Sequence, residues 1–430
     1  MYVPFVQQTV FVRIHQKRGK TVCQIERGQL DMVLQDVCEF IVDCPHSTAP
    51  DEGVGYPLVR TPNIGKGRLT LEGVHRVSKE VYDKRNARAI PQKDDIIFAR
   101  EAPAGNAAII QDNQKVCLGQ RTVLIRPNKE KVYPQYLVYY MLAPQQQYEL
   151  LGTANGATVA HVNIPVIKKM PIKLPDMDMQ VKVAEILSAY DDLIENNKRQ
   201  IKLLEEVAHR LYKEWFVDLR FPKFETAKIV DGVPEGWRKG KLNNYCEIKS
   251  GYAFKSRDWQ NNGCGVIKIK DINNGFIDYS ACDCVPMDVA KKAKIYHLKR
   301  GDLLIAMTGA TIGKVGLSTK DDYYANQRVG KVFLGDNPLE RLPFAYCVLS
   351  LQSSLEHILK HSSASSAQPN ISGEKIGDIE IIYSQGIIDE FNRILLPIFV
   401  KMILLKENIE KLKNARDGLL PKLMNGEIEV

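Results

Sequence analysis

LSAYDDLIENNKRQIKLLEEVAHRLYKEW, residues 187–215, and LLPIFVKMILLKENIEKLKNARDGLLPKL, residues 395–423, are the two stretches on which the architecture turns. In the first, apolar side chains fall at alternating steps of three and four: Leu187, Tyr190, Ile194, Ile201, Leu204, Ala208, Leu211 and Trp215. Asn197 is the single polar member. Such spacing lines one stripe of an α-helix and predicts a heptad seam. Adding 208 reproduces it as Leu395, Ile398, Met402, Leu405, Ile409, Leu412, Leu419 and Leu423, with Leu405 in place of Asn197 and Arg416 in place of Ala208. The charged flanks, such as Glu195 to Gln200, are expected to face solvent. A helix from Gln180 to Phe216 would span roughly 55 Å. A seam that long must pack on something, and its own copy is the obvious partner. The two helices therefore predict a pseudo-two-fold antiparallel coiled coil.

The boundaries agree with this. Asp176 and Ser384 stand 208 apart, each a plausible N-cap. The first helix should stop before Pro222, and DGVPEGW (Asp231 to Trp237) reads as a linker. Gly418 and Pro421 are expected to end the second.

Outward from the helices, the rest of the chain also repeats, at an offset of 207 to 209 residues. LQDVCEF (Leu34 to Phe40) falls on LNNYCEI (Leu242 to Ile248), and LVRTPNIGKG (Leu58 to Gly67) on VIKIKDINNG (Val266 to Gly275). KDDIIFA (Lys93 to Ala99) falls on RGDLLIA (Arg300 to Ala306). Gln120-Arg121 pairs with Gln327-Arg328, and Asn163-Ile164 with Asn370-Ile371. The common order of these matches points to an internal duplication. Each half reads as short strands with turn residues, for example Gly265 to Ile272, Asp302 to Met307 and Gly330 to Leu334. Helices are expected at Pro134 to Leu142 and at Pro343 to Leu359. The expected class is α+β, two mixed α/β domains with helical spacers. The segments are 1–29, 30–176, 177–226, 227–383 and 384–430.

Composition narrows the function. The chain of 430 residues is 44% hydrophobic and 26% charged, which suits a globular protein of two or more domains. Its formal net charge of +8 suits a partner with a phosphate backbone. No apolar run reaches the ~20 residues that cross a bilayer, and the opening residues lack a signal-peptide core. The nine cysteines form no CxxC pair, so a reduced, cytoplasmic chain without a zinc site is expected.

Catalytic patterns are missing. TGATIGKV (Thr308 to Val315) has three residues between its glycines and Val after Lys, where a phosphate loop needs four and Ser or Thr. GVGYP (Gly53 to Pro57) is too short for a dinucleotide fingerprint. There is no HExxH, no GxSxG, and no Asn- or Asp-Pro-Pro-aromatic tetrapeptide. The expectation is a binding protein with no cofactor or metal of its own.

Side chains suited to base edges do occur where the repeats align, since Asn and Gln can pair with adenine and Arg or Lys with guanine. In the first half these are Arg60, Asn63, Lys66, Arg100, Gln120, Arg121, His161 and Asn163. In the second they are Lys268, Lys270, Asn273, Lys314, Gln327, Arg328, Gln368 and Asn370. Positions that differ between halves, such as Arg100/Met307 and His161/Gln368, are the better candidates for specificity. Shared ones, such as Gln120/Gln327, suit a loop brace or a phosphate contact.

The chain resembles the specificity subunits of type I restriction-modification systems over nearly its whole length. The resemblance is carried by the two seams, extended to Leu187–Pro222 and Lys406–Ile428, and by PEGWRKGKLNNYCEIKSGYAF (Pro234 to Phe254). RGDLLIAMTGATIGKVGL (Arg300 to Leu317) and ANQRVGKVF (Ala325 to Phe333) add to it. It implies a recognition domain in each half, each reading one half-site of double-stranded DNA, with the coiled coil fixing the gap. It also implies partners: two adenine-methylating subunits docked near the helices and two ATP-driven motor-nuclease subunits. S-adenosylmethionine, ATP and magnesium would belong to those partners. Residues 1–27 have no counterpart in the repeat and are expected to pack on the distal helix. A coiled-coil adaptor without DNA specificity would explain the seams but not the duplicated domains. A stand-alone methyltransferase or nuclease would need the missing motifs.

Overall fold

A strand whose residues are all apolar is stable only where both of its faces are covered. Ile96–Ala99 is such a strand, and every one of its residues is buried. Around it the computed structural model describes residues 11–17, 20–26, 32–152, 161–230, 232–273, 275–363 and 369–430. The chain forms two bodies, residues 1–193 with 412–430, and residues 194–411.

In the first body, Ile96–Ala99 lies in the middle of a five-stranded sheet. The order is Cys38–Asp43, Thr122–Pro127, Ile96–Ala99, Ala107–Ile109, Gly67–Arg68. Ile96 and Phe98 turn toward the helix Pro134–Leu142 and toward Val183, Ala184 and Leu187 of the first long helix. Ile97 and Ala99 turn to the opposite face, against Val59, Ile64, Val116 and Leu118. Two of those residues belong to a second sheet, ordered Cys117–Leu118, Tyr56–Val59, Arg76–Val77. Alternation of side chains along one strand thus joins a helical layer to a small distal sheet. The apolar end of the second long helix, Leu419, Leu420 and Leu423, joins the helical side of the same core. Phe11–Lys17 and Lys20–Glu26 pair as an antiparallel hairpin. The side chains of residues 1–27, on which the packing expected of that segment depends, lie outside the described residues.

The second body repeats this plan residue by residue. Ile41 opposite Ile125 becomes Ile248 opposite Val332, and Thr122 opposite Ala99 becomes Val329 opposite Ala306, both at an offset of 207. Tyr56 opposite Val77 becomes Cys264 opposite Val285, at 208. Gly67 beside Ala108, in parallel, becomes Gly275 beside Gly316. The sheets gain an edge strand each, giving six and four strands. Strand register places each side chain on one face or the other, so a shared register is strong structural support for duplication.

The apolar stretch Gly265 to Ile272 is not one strand. It is Cys264–Ile267, then a turn at Ile269–Asp271, then Ile272–Asn273. The Lys268 N–H donates to Asp271 Oδ2 at 2.8 Å and closes the turn. Arg60 N–H and Asn63 Oδ1 do the same at the matching place, 3.0 Å apart. Likewise the helix expected over Pro343 to Leu359 is two, Leu342–Leu349 and Gln352–His361. It breaks at Leu351, whose backbone is extended.

The first long helix runs Met177–Tyr212 and passes into a π-helical turn at Lys213–Val217. Asp176 Oδ1 caps it by accepting from the Met179 N–H at 2.9 Å. Leu187, Ile194, Asn197, Ala208 and Trp215 are buried, and Tyr190, Ile201, Leu204 and Leu211 half-buried. The second long helix runs Gln385–Met424, straight through Gly418 and Pro421, which were expected to end it. Pro421 lacks an N–H for the Asp417 carbonyl, but Asp417 is exposed to water. Packing of Leu419, Leu420 and Leu423 outweighs that local loss. Along it Leu395, Met402, Leu405, Ile409 and Leu423 are buried, and Ile398, Leu412, Arg416 and Leu419 half-buried. Among the described residues no helix is long and apolar enough to cross a membrane, and no three His, Cys, Asp or Glu gather to hold a metal.

Candidate nucleic-acid interface

In the first body, five of the eight candidate side chains come from one connected region at the rim of the five-stranded sheet. Arg100 follows the central strand and is 8% exposed. Its Nη1 donates to both oxygens of Asp43, at 3.1 and 3.0 Å, and its Nε to the Val162 carbonyl at 3.0 Å. Its Nη2 meets His161 Nε2 at 2.7 Å. The other His161 nitrogen meets Glu101, which also takes the Arg121 guanidinium at 2.8 Å. Gln120 is held by the His46 carbonyl at 2.6 Å. Asn163, next along, precedes the short helix Ile164–Lys168. Arg121 remains exposed and has a positive φ of 63°, uncommon for a residue other than glycine. Of the others, Arg60 and Lys66 are exposed, while Asn63 spends its oxygen on the turn.

The matching backbone in the second body makes the same bonds. Arg100 N–H to the Arg121 carbonyl is repeated by Met307 N–H to the Arg328 carbonyl, and Val162 N–H to the Arg100 carbonyl by Ile371 N–H to the Met307 carbonyl. The last pair stands 209 apart, so His161 falls opposite Asn370, not Gln368. Asn163 falls opposite Ser372, not Asn370, each the N-cap of its short helix. Beyond these bonds the loops part: a cis Ala102–Pro103 bond follows Arg100, whereas a helical turn, Gly309–Thr311, follows Met307. Where Asp43 binds Arg100, Ser250 Oγ lies 3.7 Å from Met307 Sδ. Lys314, Gln327, Arg328, Asn273 and Asn370 carry exposed side chains around this frame. Gln368 lies outside the described residues. Lys268 sits 3.5 Å over the Trp259 ring, and both Lys268 and Lys270 bind Asp283, at 2.8 and 3.1 Å. Lys268, with Lys270 behind it, holds the Asp283 carboxyl below the usual carboxylate range.

The spacing of the repeats did not single out Lys291, Lys292 and Lys294. They are exposed on the turn Lys291–Tyr296, beside the exposed Met287 and Ile295. The run KKAK was the available signal; at an offset of 207 it falls on Lys84-Arg85-Asn86-Ala87, and a short charge run is ordinarily a solvated face.

Arg100 provides a direct test of this frame. Arg100→Met alone should cost about 3 kcal/mol, because it takes the guanidinium from the half-buried Asp43 carboxylate and leaves it His46, 3.1 Å away. Adding Asp43→Ser imports the second body's own pair and should restore more than half of that loss, read from urea unfolding midpoints. A double variant no more stable than the single one would mean the Asp43 contact is not what holds the rim.

Comparison with known proteins gives a consistent picture. Residues 31–206 and 234–385 match the family described as the type I restriction modification DNA specificity domain, once in each half. The MjaIX type I restriction enzyme specificity subunit of Methanocaldococcus jannaschii is 27% identical over 374 residues, covering 83% of each chain. The HindI specificity subunit of Haemophilus influenzae is 23% identical over 440 residues, 87% of this chain and 95% of that one. In fold, the S subunit of a type I restriction-modification system from M. genitalium aligns with a TM-score of 0.50 at 17% identity, over 92% of this chain and 95% of that one. With both of its halves matched, the chain belongs to the type I restriction modification DNA specificity family.

Proposed function

We propose that this chain reads a bipartite double-stranded DNA target for a type I restriction-modification complex. Each of the two repeated domains, 30–176 and 227–383, serves as a recognition domain for one half-site. The two long helices pair antiparallel and set the gap between half-sites. The observation that carries the reading is a backbone framework repeated in register whose rim side chains differ, Asp43 and Arg100 in one copy against Ser250 and Met307 in the other. A duplicated scaffold with divergent polar rims suits two readers of two different sequences. The pairing of the helices is supported body by body. In the first, Leu187 shares a core with Leu419 and Leu423; in the second, Ala208 and Trp215 share one with Phe391 and Leu395.

On this reading the base-contacting positions are exposed ones: Arg60, Lys66, Arg121, Asn273, Lys314, Gln327, Arg328 and Asn370. Arg100 and Gln120 brace the loops that present them. Two methylation subunits dock along the helices and two motor-nuclease subunits complete the assembly, and catalysis and its cofactors belong to those partners. A scaffold without DNA specificity is not favoured, because it has no use for two such domains.

Mapping methylated adenines in a host that carries this chain with its methylation subunit tests the reading. Two short half-sites separated by one fixed, unspecified gap are expected. A continuous motif, or a pattern unchanged when the chain is deleted, would count against it.

A further inference from the structure

In the first body one buried carboxylate gathers four elements. Tyr139, on the helix Pro134–Leu142, donates its hydroxyl to Asp191 Oδ2 of the first long helix at 2.6 Å. Arg416 of the second long helix pairs with Oδ1 of the same carboxylate, which is 2% exposed. Beside it Gly67, at the sheet edge, has a φ of 93°, and a Cβ there would stand 2.9 Å from Asp191 Oδ2 and 3.4 Å from the Tyr139 ring. The next residue, Arg68, reaches Asp192 at 2.6 Å. Burial pushes the Tyr139 hydroxyl well above its usual pKa, so it stays a donor at neutral pH.

The second body keeps the tyrosine and the glycine but changes the acceptor. Tyr346 matches Tyr139, and Gly275 matches Gly67, with a φ of 75° and room for a Cβ only 2.7 Å from the Tyr346 hydroxyl. The position matching Asp191 is Phe399, whose ring is 5.2 Å from that of Tyr346, and the position matching Arg416 is Ala208. The hydroxyl donates instead to Glu205 Oε1, 2.5 Å away. Each body therefore seats one tyrosine on a carboxylate of the first long helix, but at unrelated points of the repeat.

A leucine seam tolerates sliding, whereas a buried charged hydrogen bond does not, since a shift of one residue leaves both groups unpaired. We infer that Asp191, with Arg416, and Glu205 are positioning residues that fix where each recognition domain sits along its helices, and so the phase of each half-site. They touch no DNA. The inference rests on the bipartite reading above and gives it a mechanical origin.

The test uses the chain in complex with its methylation subunits, on DNAs that differ only in gap: native, one base pair shorter and one longer. The variant is Asp191→Leu with Arg416→Leu, which removes the pair without stranding a charge. The ratio of methylation rates, native gap to altered gap, should fall about tenfold while the half-sites stay the same. A loss of stability alone would slow all three DNAs in proportion and leave the ratio intact. If that variant does not fold, Tyr139→Phe decides, with an expected fall of about fivefold. An unchanged ratio in whichever folded variant is measured overturns the positioning role. Wild type is the separate control: without a gap preference there, the bipartite reading itself fails.

Discussion

Replacing residues 237–383 by the same segment of another specificity subunit is expected to change one half-site and leave the other untouched. The two cut points suit such an exchange, because Arg238–Lys241 pairs antiparallel with Glu380–Tyr383, Arg238 opposite Tyr383. The segment therefore enters and leaves at one end of a single strand pair and carries its own closure, the arrangement in which insertion of a domain is best tolerated. Each wrong base pair costs about 1–3 kcal/mol, so a half-site altered at two positions should lose about a hundredfold or more in methylation at the original target. Methylome sequencing of the exchanged strain reads the result. If both halves of the motif changed together, the two domains would not be independent readers.

The second large effect is on the gap. Four helix-forming residues inserted after Leu193 and another four after Lys411 fall where the chain passes from one body to the other, so neither body is split. At about 1.5 Å and 100° per residue, the arm lengthens by roughly 6 Å and turns by about 40°. B-DNA advances about 3.4 Å and 35° per base pair, so the insertion resembles one to two base pairs in both rise and twist. The heptads absorb four extra residues as a stutter. The expected motif keeps both half-sites and gains one or two base pairs of gap. A seven-residue insertion preserves the seam and so adds about 10 Å with little rotation, which no whole number of base pairs matches. Its complex should methylate poorly at every gap. Equal tolerance of four and seven residues would mean that the helices do not set the spacing.

The parts legible in sequence were those governed by simple periods. The 3-4 spacing from Leu187 to Trp215 marks a buried stripe because a helix turns by a fixed angle, and strand positions such as Ile96 to Ala99 stand out because both faces are covered. The ends were harder. Gly418 and Pro421 are local stop signals, yet Leu419, Leu420 and Leu423 beyond and between them pack into the first body's core, and packing prevailed. Lys268 to Asp271 hid a turn inside an apolar run, since the cap that closes it is a side-chain contact. The rim was hardest. Arg100 has the chemistry of a base reader, and only the fold reveals Asp43, 57 residues earlier, directly beneath it.

The first body is assembled from residues 1–193 and 412–430, with the whole of the second body intervening in the chain. On the ribosome, at about 5–20 residues per second, its early portion therefore waits roughly 10–40 s before Leu419 and Leu423 emerge to cover it. Over that interval the apolar surface that Leu419, Leu420 and Leu423 later cover is open to other chains, and Asp191 lacks Arg416. The second body, continuous from 194 to 411, can close first. Order of birth and order of completion are thus reversed.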